Sequence, residues 1–153
     1  KNYNLDFVRE IIEQAAILYD SKKSGILELG GGVPKNTAQQ TGPLLDQILR
    51  RDDGGQDYII QITDARTDTG GLSGATLQEG KSWGKVQDSH EGVVTVYADA
   101  TIAFPILALY VLSNQKSRKP KRLYKKLGKL YDKLNKDYSK NPSIKTKKSK
   151  KKN

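Results

Sequence analysis

Three short runs rich in β-branched and aliphatic residues, "ILEL" (26–29), "YIIQIT" (58–63) and "VVTVYA" (93–98), recur along the chain with helical stretches between them. This alternation constrains the fold more than any other feature. Strands separated by helices are not joined by tight hairpins; they pair in parallel, with the crossover helices covering the sheet. "NLDFVREIIEQAAILY" (4–19) places Leu5, Val8, Ile12, Ala15 and Tyr19 on one helical face and stops before Gly25. "NTAQQTGPLLDQILRR" (36–51) reads as a helix in two pieces, because Pro43 breaks the hydrogen-bond ladder. "TLQEGKSWGKV" (76–86) begins as a short helix. "TIAFPILALYVL" (101–112) is apolar nearly all round and is expected to be buried, with Pro105 kinking it or lying in its first turn. The expected fold class is therefore α/β: a mostly parallel sheet with helices on both faces. Three visible strands are fewer than the five or six of an ordinary sheet, so the chain reads as part of something longer.

Composition narrows the function. The 153 residues contain no cysteine, which removes disulfide frameworks and thiolate zinc sites, and a single histidine, His90, removes a histidine-rich metal cluster. No metal site is predicted. No apolar run approaches the roughly 18 residues needed to span a membrane, and the start lacks a signal-peptide layout. The net charge of +10 is unevenly spread: residues 116–153 carry 17 Lys/Arg against two acids, whereas residues 1–115 carry 10 basic residues against 15 acidic ones. The chain therefore divides into a mildly acidic body, 1–115, and a strongly basic tail, 116–153. Within the tail, "RLYKKLGKLYDKLNKDY" (122–138) spaces Leu123, Leu127, Leu130 and Leu134 as a basic amphipathic helix. Residues 139–153 have almost no apolar content and are expected to be disordered. Two readings of the tail stand side by side: a helix packed on the body with a solubilising extension, or a surface for nucleic acid, acidic protein or anionic membrane.

In a parallel sheet, ligands gather beyond the carboxyl ends of the strands. Gly30–Gly32 follow the first strand, the loop 64–75 with Gly70, Gly71, Ser73 and Gly74 follows the second, and Asp99 follows the third. Each alone reads equally as a turn or a helix cap, and GGG does not match the dinucleotide fingerprint G-x-G-x-x-G. Their shared position at one sheet edge is what points to a ligand. "SWGK" (82–85) adds a lysine beside the single tryptophan. A lysine nucleophile must lose its proton near neutral pH against an ordinary pKa of about 10.4, which desolvation or a neighbouring positive charge promotes. Trp83 offers a dry wall and a π-face for an ammonium, and Glu79 offers a carboxylate for a substrate amine. The competing reading makes Trp83 a core anchor and Lys85 its snorkelling neighbour.

"LGGGVPKN" (29–36), "DYIIQITDAR" (57–66), "SGATLQEGKSWGKV" (73–86) and "VYADATIAFPILA" (96–108), in this order, resemble the C-terminal part of the deoxyhypusine synthase family over roughly residues 1–115. The resemblance implies a partial Rossmann-like domain that binds NAD and a polyamine. The implied activity is an NAD-dependent transfer of the 4-aminobutyl group of spermidine, through a lysine imine, to an acceptor amine. It makes Lys85 the imine-forming nucleophile, Trp83 the wall over the polyamine chain, Glu79 an anion facing a substrate ammonium, and Gly70 and Gly71 the lining of the polyamine pocket. Gly31, Asp64, Ala65, Asp99 and Ala100 fall where the family touches NAD. Asn36, a further substrate-binding residue in this reading, and Leu72 stand where eukaryotic members carry histidine and aspartate; they follow a bacterial branch whose members can transfer to a free diamine such as putrescine, so the implied acceptor is either a lysine of a small translation factor or putrescine. The resemblance also implies a cytoplasmic homotetramer with active sites between subunits. The alternative is a truncated or degenerate paralogue without catalysis, acting as a partner subunit through its basic tail.

Overall fold

The computed structural model describes residues 6–50, 55–85 and 92–140. His90, Leu5 and most of the expected disordered tail lie outside them. The chain opens with α1 (Phe7–Asp20), capped by Asp6, whose carboxylate accepts from the Arg9 amide at 3.0 Å. β1 (Gly25–Leu29) leads into α2 (Val33–Gln39), a single turn α3 (Thr41–Pro43) and a π-helical turn, Leu44–Ile48. The interruption lies at Gln40, between α2 and α3, where the missing Pro43 N–H takes away the helical donor to Gln39 O; the Leu44 amide still reaches Gln40 O at 3.0 Å, so the chain stays helical past the proline. β2 (Tyr58–Thr63) is followed by two short 3-10 turns, Thr67–Thr69 and Leu72–Gly74, and by α4 (Leu77–Ser82). β3 (Val93–Tyr97) runs into α5 (Ala100–Asn114), and a 3-10 turn at Leu123–Lys125 precedes α6 (Leu127–Ser139).

The three strands are all parallel in the order β1-β2-β3, with Leu27 opposite Ile60 and Ile60 opposite Val94. Side chains alternate across the sheet. One face carries Ile59, packed with Leu77 of α4 and Val93. The other carries Ile60, Ile62, Val94 and Val96, and α5 lies over it across a cavity of about 430 Å³ lined also by Ala103 and Ile106. The sheet is therefore covered by helices on both faces, as expected of an α/β chain. A second core lies beside it: Ala15, Ala16 and Leu18 of α1 meet Leu45 and, from α6, Leu130 and Leu134.

Two expectations change. None of the residues of α5 is buried: Ile102, Ile106, Leu109 and Leu112 stay between 66% and 79% exposed. An apolar circumference predicts burial only if something covers each side, and among the described residues only the sheet does. Pro105 lies inside the helix rather than in its first turn. On α1, Val8 is exposed while Ala15, Ala16 and Leu18 are buried, so the helix presents its C-terminal half to α6 rather than the whole predicted stripe. The tail helix packs on the body with its apolar side. Tyr19 donates to Asp137 at 2.9 Å and Lys133 to Asp20 at 2.5 Å. No helix among the described residues is long and apolar enough to cross a membrane.

Candidate functional site

The parallel order sets the predicted residues at one edge. The carboxyl ends of β1, β2 and β3 release the chain into Gly30–Gly32, Asp64–Ala65 and Asp99–Ala100 respectively. Gly30 and Gly32 adopt φ of 78° and 89°, a region closed to most side chains. Gly31 serves a different need: a Cβ there would lie 2.5 Å from Ser73 Cα, so its bare backbone lets the 72–74 turn close over the start of α2. Gln61 pins the same turn, donating from Nε2 to Ser73 O at 3.0 Å. Asp64 is exposed, and the Ala65 amide donates to Thr63 Oγ1 at 3.1 Å. Asp99 caps α5: its Oδ1 accepts from the amide and the hydroxyl of Thr101, both at 2.7 Å. The Thr101 hydroxyl, then its amide, hold the Asp99 carboxyl below the usual carboxylate range, so at neutral pH this edge presents an ionised acceptor. The short acidic side chain of Asp99 and the open backbone of Gly30 lie at one sheet edge and suit the ribose hydroxyls and phosphates of a dinucleotide, whereas Gly31 is covered by Ser73.

Lys85 belongs to a second group. α4 is capped by Thr76, whose hydroxyl accepts from the Glu79 amide at 3.2 Å. Gly84, at φ 69°, ends the helical stretch, and the Lys85 amide folds back to Gly80 O at 3.0 Å. Lys85 O accepts from the Gln56 amide at 3.2 Å, so its backbone sits near the amino-terminal end of β2. From there its Nζ reaches α2 and donates to Asn36 Oδ1 at 2.8 Å, joining two residues 49 positions apart. Trp83 is 65% exposed, which removes the core-anchor reading and leaves its ring free to cover something else. Glu79 is exposed too. Gly70 has φ 70°, and neither it nor Gly71 would bring a Cβ within 4 Å of another residue, so the loop after β2 borders open space. The structure thus brings Lys85 and Asn36 together. Among the described residues it shows no hydrogen bond from that pair to Trp83, Glu79, Gly70 or Gly71; toward the strand ends the Asn36 amide donates to Gly32 O at 3.1 Å.

Two buried charged groups beside this pair were not predicted. Lys35 is 7% exposed, and its Nζ donates to Ala75 O at 2.7 Å and Leu72 O at 3.4 Å. Burial pushes its ammonium down from the ordinary lysine range and the charge of Lys85 adds to this, while Glu28 and Glu79 oppose it. Glu28, 5% exposed, accepts from Gln39 Nε2 at 2.6 Å on one oxygen, and its other oxygen has no partner among the described residues. Burial pushes its carboxyl up, against the pull of Gln39 and Lys35. A signal for both was present: an acid inside an apolar strand, and a lysine directly before Asn36.

The sequence profile of the family described as deoxyhypusine synthase matches residues 1–111. A deoxyhypusine synthase-like protein of Nostoc punctiforme is 45% identical over 127 residues, 80% of this chain and 33% of the relative. A similar protein of a Cyanothece species is 47% identical over 130 residues, 78% of this chain and 32% of the relative. A probable deoxyhypusine synthase 2 of Archaeoglobus fulgidus is 40% identical over 116 residues, 76% of this chain and 38% of the relative. The chain spans about a third of the length of these curated relatives.

Proposed function

The chain belongs to the deoxyhypusine synthase family, and from that premise we propose that it carries the lysine nucleophile of an NAD-dependent aminobutyl transfer from spermidine to an acceptor amine. The observation that supports this reading best is Lys85 Nζ held at 2.8 Å by Asn36 Oδ1. An amide oxygen orients the nitrogen. Oxidation at the secondary amine of spermidine gives an imine; the Lys85 amine adds to its carbon and expels 1,3-diaminopropane, the acceptor amine then displaces Lys85 from the resulting imine, and reduction of the acceptor imine leaves a secondary amine. NAD, held along Gly31, Asp64, Ala65, Asp99 and Ala100, would take the hydride in the first step and return it in the last. The exposed Trp83 ring covers the alkyl chain, Glu79 faces a substrate ammonium, and Gly70 and Gly71 leave room for the polyamine.

The acceptor follows from Asn36 and Leu72. Leu72 gives the pocket no carboxylate, and Asn36 has no titrating imidazole, so a free diamine such as putrescine is at least as good an acceptor as a translation-factor lysine. The working unit is a cytoplasmic homo-oligomer, a tetramer in this reading. Incubation with spermidine and NAD, borohydride reduction and peptide mapping tests the assignment. The expected adduct is on Lys85; an adduct on another lysine, or unchanged turnover in Lys85→Ala, overturns it. Labelled butyl transfer to the translation-factor protein alone, with none to putrescine, overturns the choice of acceptor.

A further inference from the structure

The family match stops at residue 111, and the cations that follow it have no part in the site at Lys85. Residues 116–140 carry eleven Lys/Arg against two acids, Asp132 and Asp137. Those on α6 are ordered. Lys126, Lys129, Lys133, Lys136 and Lys140 recur at intervals of three and four residues, which sets them in one row from the cap at Lys126 to the cap at Lys140. All five are exposed. Like charges at this spacing repel and destabilise a helix, and they add nothing to its packing, which Leu130 and Leu134 supply from another side. Lys133 meets Asp20, and Lys140 lies 3.9 Å from Asp137. Among the described residues Lys126, Lys129 and Lys136 form no ion pair. The row continues into the exposed segment 116–122, which holds Lys116, Arg118, Lys119, Lys121 and Arg122 and no acid. Between segment and helix stands Tyr124, an aromatic side chain left 68% exposed in the turn Leu123–Lys125.

Three classes of anion could meet such a surface, and the structure separates them. A membrane takes up a basic helix through its apolar face, and the apolar face of α6 is seated on α1. A protein interface has an apolar core poor in charge; the exposed side of α6 offers lysines, Asp132 and Asn135. A single-stranded nucleic acid needs a row of cations along its backbone and an exposed ring on which a base stacks. We propose that the lysine row of α6, together with the segment 116–122, binds single-stranded nucleic acid, with the phosphate chain along the lysines and a base on Tyr124.

The test is fluorescence anisotropy of the full 153-residue chain with a labelled single-stranded RNA of about 20 nucleotides, enough to cover one such site, between about 50 and about 200 mM salt. Exchange of Lys126, Lys129 and Lys136 together for glutamine should lower the slope of log affinity against log salt by about 2, because each phosphate contact to a single strand carries about 0.7. Exchange of the same three for arginine keeps the charge and should keep the slope. Tyr124→Ala should weaken binding by about fivefold or more, the smallest loss expected for one base stack, with the slope unchanged. All four side chains are exposed, so native circular dichroism is expected throughout. No binding at about 50 mM salt, a slope unaltered by the glutamines, or native affinity in Tyr124→Ala each overturns the proposal. Tighter binding of phosphatidylserine vesicles or of polyglutamate than of the RNA at the same salt assigns the surface to a membrane or an acidic protein, and overturns it as well. The titration uses neither spermidine nor NAD, so it and the adduct test at Lys85 stand or fall separately.

Discussion

Replacing Gly31 by alanine is the sharpest perturbation the geometry offers, because its neighbour Gly71 supplies a matched control in the same region. A Cβ at position 31 would lie 2.5 Å from Ser73 Cα, 3.0 Å from its Cβ and 3.2 Å from its Oγ. The first contact is with backbone, so no rotamer change relieves it; the turn over residues 72–74 has to move. Gly31 does not occupy the left-handed region, so dihedral strain adds nothing and the whole cost is overpacking, about 1–3 kcal/mol. At Gly71, with φ −80° and nothing within 4 Å of a Cβ, alanine should change stability by no more than about 0.5 kcal/mol. Displacing the turn also draws Ala75 O and Leu72 O away from Lys35 Nζ, now at 2.7 Å and 3.4 Å, and Ser73 O away from Gln61. Gly31→Ala should therefore lose stability, whereas Gly71→Ala should not. Urea unfolding followed by far-ultraviolet circular dichroism measures the loss, since the single tryptophan is too exposed to report on packing. Equal unfolding midpoints for the two variants would refute the close approach, and with it the account of how the turn, α2 and Lys85 are held together.

Leu134, 1% exposed among Ala15, Ala16, Leu18 and Leu45, should cost about 2–5 kcal/mol as alanine, measured by the same unfolding curve; a loss below about 1 kcal/mol would mean that α6 is not part of this core. Glu28→Gln keeps an acceptor for Gln39 and removes the buried charge. Because burial raises the Glu28 carboxyl above 4.5 in the folded chain, the protonated form is favoured there; that stability is full below the ordinary value and is lost as pH rises through the folded one. The variant escapes this loss, so its stability relative to the native protein should increase from about pH 4 to about pH 8, and a difference independent of pH would contradict the assignment.

The strands were legible because their signals are local. β-branched runs end at Gly30, Asp64 and Asp99, and the sheet reproduces them at Gly25–Leu29, Tyr58–Thr63 and Val93–Tyr97. The carboxyl-edge grouping followed from that order without any side-chain geometry. Burial of α5 was misread because an apolar circumference states a demand for cover without stating what meets it. The Lys85–Asn36 contact spans 49 positions and no spacing rule reaches it; only the family resemblance put the two in one site. Lys35 and Glu28 escaped notice for a related reason. A charge in sequence is usually solvated, and that expectation outweighed the signal of an acid inside an apolar strand.

The leucines of the tail bear on what the basic residues around them can do. A basic amphipathic helix binds an anionic membrane by inserting its apolar face while its lysines meet the headgroups. In this chain the apolar face of α6 is already used: Leu130 and Leu134 are buried against Ala15, Ala16 and Leu18. Lys133 is committed to Asp20. Insertion would have to strip α6 from α1 and expose the core they share, at the cost estimated above for Leu134 and more. With α6 seated, what remains for an acidic partner is charge without apolar contact, from the outward lysines of α6 and the lysines that follow it. Such binding weakens steeply with salt. The family match ends at residue 111, and α6 lies beyond it yet completes the core on the α1 side. The helix is accordingly a structural part of this molecule first, and any role for the tail in binding is built on that packing rather than in place of it.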